Sequence, residues 1–127
     1  MFLDFLFGKK RPQRLISVET RNNISKDWRN IEILLRGRSP SQLRQALITA
    51  DKCLDNVLRD VIEGESMGER LKNSAHLFDK DLYNKIWEAH KVRNNLVHEA
   101  GYEPPYFVVT ESVENLKEGL QILGVSI

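Results

Sequence analysis

Within HKVRNNLVHEAGY, residues 90–102, one arginine, two asparagines and two histidines fall in nine positions, shortly before Gly101. These residue types move protons and hold anions. An imidazole titrates near pH ~6.5, so it can accept or donate a proton near neutrality. A guanidinium stays charged and presents a planar fork of donors. His90, Asn94 and His98 also recur every four residues, a spacing that lines ligands along one helical face. Reach argues against a shared metal, since His90 and His98 stand about 12 Å apart along a helix axis. With one cysteine and three histidines in the chain, neither a metal nor any other cofactor is expected.

A helix must position these groups. Counting about 100° per residue from Leu82, the apolar side chains of Leu82, Ile86, Ala89, Leu96, Val97 and Ala100 cluster on the face expected to meet the core. Arg93 falls at roughly 20°, inside that stripe. Tyr83, Trp87, His90, Asn94 and His98 form a second row between roughly 80° and 160°. Lys85, Glu88, Lys91, Asn95 and Glu99 fill the solvent-facing remainder. A charge within an apolar stripe is costly unless it is paired or opens into a cleft or interface. Two readings follow for Arg93. It is an inner residue satisfied by an acid such as Asp51, beside the apolar face of the second helix, with His98 merely favouring the helix terminus. Alternatively, the three-faced helix carries a site or an interface.

The remaining elements are also helical. Ile24, Trp28, Ile31 and Leu35 recur at helical spacing, with Gly37 as the stop. SPSQ then supplies Ser39 as N-cap, Pro40 at the first helical position and Gln42 to close a capping box. Leu43, Leu47, Ala50, Leu54, Val57, Leu58 and Val61 follow on one face, up to Gly64. Ser66 and Glu69 repeat the start signal for a shorter helix through Leu71 and Ala75, and the fourth helix opens near Asp79 or Asp81. Pro104 and Pro105 interrupt the pattern, Tyr106–Val109 reads as a short extended run, and Thr110 caps a last helix bearing Val113, Leu116, Leu120 and Leu123. The expected fold is an all-α antiparallel bundle of about five helices.

Composition sets the outer bounds. A chain of 127 residues, 41% apolar and 29% charged, is sufficient for one compact domain. A net charge of +1 excludes a polyelectrolyte, so any nucleic-acid contact must be a local patch. Cys53 stands alone, which excludes an internal disulfide and points to a reducing compartment, the cytoplasm. MFLDFLFGKKRPQR, residues 1–14, reads as an arm apart from the domain at 15–127. Its apolar part is far shorter than the ~20 residues that cross a bilayer. The arm is expected to pack on this domain or another copy, with weak membrane-surface contact through Met1–Phe7 as the alternative.

The segment Arg93-Asn94-Asn95-Leu96-Val97-His98 resembles the arginine–polar–x–x–x–histidine signature of the HEPN superfamily, small helical domains of prokaryotic toxins, antiphage systems and RNA-processing proteins. ADKCLDNVL on the second helix, GERL at the third, IWEAHKVRNNLVHE on the fourth and a final apolar helix extend the likeness over about residues 25–124. The resemblance implies a HEPN-like bundle and a metal-independent endoribonuclease, in which a 2′-hydroxyl attacks the adjacent phosphate and leaves a cyclic phosphate and a free 5′-hydroxyl. On that reading Arg93 meets the phosphate charge, His98 carries the proton, and Asn94 holds the imidazole in one tautomer. It further implies RNA as the partner and a homodimer that joins two such sets. Tyr83, Trp87, His90, Lys91, Asn95 and Tyr102 are the candidates for RNA or interface contact. A neutralising antitoxin is the protein partner known for such toxins. Toxins of the nucleotidyltransferase-paired kind often carry a tyrosine two residues after the histidine, where this chain has Ala100. The alternative is a non-catalytic HEPN-like module that binds RNA or protein and docks through its N-terminal arm.

Overall fold

The computed structural model describes residues 15–127; the expected arm at residues 1–14 lies outside them. Helix α1 spans Val18–Gly37 and begins where the Ser17 side chain accepts the Thr20 amide, at 3.0 Å. Its buried face is Ile24, Trp28 and Ile31. The expected stop at Gly37 shifts by one residue. Gly37 is still helical, and Arg38 takes the left-handed conformation with φ 63°. The glycine serves a different need, because a Cβ at position 37 would collide with the Gln42 side chain. Gln42 is fixed there by the capping box with Ser39 that opens α2, Pro40–Val61.

Helix α3, Met67–Asn73, is capped by Ser66 and tied to α2 by Arg70. The Arg70 guanidinium donates to Asp55 Oδ1 at 2.8 and 3.0 Å and to the Gly64 carbonyl at 2.9 Å, so every side of this buried cation is met. Ala75 falls in a separate 3₁₀ turn, Ala75–Leu77, because Ser74 closes α3 by bonding back to the Leu71 carbonyl. Asp79 then caps α4, Lys80–His98, by accepting the Leu82 amide at 2.8 Å. Helix α5 spans Tyr106–Ile122, so Tyr106–Val109 is its first turn and not an extended run. Prolines at the threshold of a helix cost nothing, since the first-turn amides have no intrahelical partner. Thr110 lies inside that helix, its hydroxyl bonded to the Phe107 carbonyl.

The architecture is an all-α bundle of five helices among the described residues, with no strand among them. Helix α2 is central and touches α1, α4 and α5. Its C-terminal turn meets the start of α1 through the Ser17 amide and Asp60, at 3.0 Å, which fixes an antiparallel pair. Helices α4 and α5 approach closely at Gly119, where an added Cβ would lie 2.8 Å from Ile86 Cδ1. Leu47, Leu54, Leu58, Ile86, Leu116 and Leu120 are fully buried between these elements. The apolar stripe of α4 leaves the core at its last turn. Leu96 is buried, but Val97 is 41% exposed and Ala100 lies on the surface. A wheel gives direction only and says nothing of where the neighbouring helices end. No helix of the described residues is long and apolar enough to cross a membrane.

Candidate functional site

Helix α4 presents its polar residues in two separate groups. The first is buried. Asp51, on α2 and wholly inaccessible, accepts from Nδ1 of His90 at 3.1 and 3.2 Å. Arg93 Nε lies 3.4 Å from Asp51 Oδ2, an ion pair by distance, but the N–H is not aimed well enough to form a hydrogen bond. Arg93 Nη1 donates instead to Asn94 Oδ1 at 2.7 Å. That bond sets the amide so that Asn94 Nδ2 faces His90 Nε2, at 3.5 Å. With the amide nitrogen toward Nε2, Nδ1 is the ring nitrogen that donates to Asp51. Asp51, His90, Asn94 and Arg93 thus close a ring of polar contacts.

Arg93 therefore has the acid partner that its place in the stripe demands. Its side chain is 30% exposed, so Arg93 is only partly covered while its Nε sits against Asp51. Asn94 turns toward His90 and not toward His98. Helical Cβ atoms tilt toward the N-terminus, so a short amide reaches back one turn more readily than forward. The tautomer that Asn94 supports is that of His90.

The second group is open. His98 is the last residue of α4, is exposed, and makes no hydrogen bond or ion pair among the described residues. Five positions separate it from Arg93, or about 140° around the helix, so the two side chains of one chain diverge. Tyr83 and Trp87 are half-buried and meet edge to face with centroids 6.5 Å apart, and Trp87 meets the His90 ring in the same way at 5.9 Å. This row is a packed aromatic ladder with His90 at its inner end. Lys91 is exposed beside Glu88, at 3.5 Å, and Asn95 is half-buried. Tyr102, past the helix, lines a cleft of about 390 Å³ together with Arg38, Arg44, Leu96 and Tyr106. Arg38 and Arg44 carried no sequence signal, because neither belongs to a motif and only the fold brings them to Tyr102.

The one thiol is unsuited to nucleophilic work. Burial, then the Asp27 carboxylate beside it, push Cys53 up to about 12, despite the opposing charge of Lys52. No three His, Cys, Asp or Glu side chains among the described residues come together as metal ligands. No protein-family model, curated protein or solved structure matches the chain.

Proposed function

We propose that the chain is a metal-independent endoribonuclease of the HEPN type, acting as a homodimer in the cytoplasm. One observation carries the reading. Among the described residues His98 stands free at the end of α4, while Arg93, paired with buried Asp51, keeps 30% of its side chain exposed. In the reaction, the RNA 2′-oxygen forms a bond to phosphorus as the bond to the 5′-oxygen breaks. One imidazole takes the 2′-proton, and a second proton must reach the leaving oxygen. Arg93 meets the charge that gathers on the phosphate oxygens.

Because Arg93 and His98 of one chain diverge, the dimer is what supplies a complete set. Val97, Tyr106 and Phe107 are exposed apolar residues where α4 ends and α5 begins, and they offer a face for the second copy. A toxin or antiphage role, with an antitoxin as protein partner, is the setting that the HEPN resemblance suggests. A second reading draws on the ring itself. Arg93, Asn94 and His90 bond among themselves and to Asp51, as they would in a non-catalytic module that binds RNA or protein. Incubation of the purified chain with mixed RNA in EDTA separates the two. Cleavage to cyclic-phosphate ends supports the nuclease, and intact RNA at stoichiometric protein supports the module.

A further inference from the structure

Opposite the His98 side of α4 lies a cleft that shares Tyr106 with the proposed dimer face but whose two arginines the nuclease reading does not use. Leu96 and His98 leave the helix about 200° apart, and Leu96 belongs to the cleft wall. The floor is apolar, formed by the buried side chains of Leu43, Leu96 and Val109. Around it stand Tyr102 and Tyr106, the cations Arg38 and Arg44, and one acid, Glu103. Neither arginine has an ion pair among the described residues, and the first turn of α2 beside them holds no acid. The volume, about 390 Å³, is in the range of small-molecule sites.

Arg38 is the informative residue. It is the only non-glycine residue with positive φ among the described residues, at a position where glycine is the usual choice. The left-handed conformation is unfavourable for a residue that carries a β-carbon, and such strain collects at ligand sites. Its guanidinium carbon lies over the Tyr106 ring, 5.2 Å from the centroid. Contact with a ring face does not use the N–H donors of a guanidinium, which remain available to a phosphate. An apolar floor between two tyrosines, rimmed by two arginines without an ion pair among the described residues, fits a flat ring that carries a phosphate.

We propose that this cleft binds a nucleoside monophosphate unit, with the base on the floor between Tyr102 and Tyr106 and the phosphate on Arg38 and Arg44. The site stands on the geometry of the cleft and not on the nuclease reading.

The test is an NMR titration of the full chain with adenosine 5′-monophosphate, adenosine and inorganic phosphate, followed at the Leu43, Leu96 and Val109 methyls. The monophosphate is expected to give saturable ring-current shifts at these methyls and to bind at least about tenfold more tightly than either half alone. Arg38→Ala and Arg44→Ala should each weaken it about tenfold and leave adenosine unaffected, as loss of a charge-assisted bond requires. Phosphate binding as tightly as the monophosphate would overturn the proposal by leaving only an anion site. Shifts at other methyls, or none at a concentration of about 10 mM, would overturn it as well. His98→Ala should bind the monophosphate like the wild type, whether or not the chain cleaves RNA.

Discussion

Nδ1 of His90 lies 3.1 Å from a carboxylate oxygen of Asp51, a residue with no solvent exposure, and this bond joins the middle of α4 to the middle of α2. It places a charge in the core beside Arg93, whose Nε is 3.4 Å from the same oxygen. The two contacts offset the cost of burying the carboxylate, and they fix the direction in which Arg93 leaves the helix.

Removing the acid should therefore be costly. Asp51→Ala strands Arg93 in a partly buried place and removes the His90 acceptor, so unfolding free energy should fall by about 3–5 kcal/mol. Asp51→Asn keeps the shape and one acceptor and should lose less. Urea denaturation followed by circular dichroism measures both. A loss below about 1 kcal/mol for Asp51→Ala would mean that the ring contributes little to the fold.

The apolar pattern and the caps encode most of this architecture. Ser39 with Gln42, Ser66 with Glu69, and Asp79 each cap the helix they announce, because capping is a local hydrogen bond that a few neighbouring residues decide. The pairing of Arg93 with Asp51 was legible as one of two alternatives, since a cation in an apolar stripe requires an acid from a neighbour. The orientation of Asn94 was not legible. It depends on Arg93 Nη1 bonding its oxygen at 2.7 Å, a side-chain choice that spacing does not encode. Helix α5 starts at Tyr106 and not at Thr110, since Pro104 and Pro105 constrain chiefly the residues before them and leave those after free to turn helical. The cleft depends on the starts of α2 and α5 meeting the end of α4, which no local pattern contains.

Cys53 should respond to pH in a defined direction. Its thiol is raised in the folded chain from about 9 to about 12, mainly by burial and then by Asp27. Between those values the unfolded chain loses the proton while the folded chain keeps it, so stability falls as pH rises. The contribution is intact below about pH 9 and declines by up to about 1.4 kcal/mol per pH unit above it. Denaturation of wild type and Cys53→Ala at several alkaline pH values isolates this slope, which the variant should lack. Iodoacetamide at pH 8 should label folded wild type only as fast as the chain opens. Rapid stoichiometric labelling would contradict the burial.

Phe107 is 59% exposed and lies at the same end of the bundle as Val97. If this end holds the second copy, light scattering of the wild type should give twice the chain mass of 14.7 kDa. Phe107→Glu should shift it toward monomer, with a stability loss under about 0.5 kcal/mol in the monomer, as for other surface changes. An unchanged dimer would place the interface elsewhere, and a monomeric wild type would remove the means of completing the site.

Arg93→Lys should keep the positive charge but lose the planar fork. Cleavage of RNA should fall while RNA retention on a filter persists, because a point charge still attracts the backbone without matching two phosphate oxygens. Equal loss of retention and cleavage would indicate a binding role only.

The central claim is that exposed His98 moves a proton in metal-free RNA cleavage. Its most direct test is the cleavage rate of wild type and His98→Ala in EDTA, with the folding of each checked by circular dichroism. The wild type should produce cyclic-phosphate ends, and the variant should stay folded and cleave roughly 10²–10⁴-fold more slowly. A folded His98→Ala that cuts RNA at the wild-type rate would contradict the account.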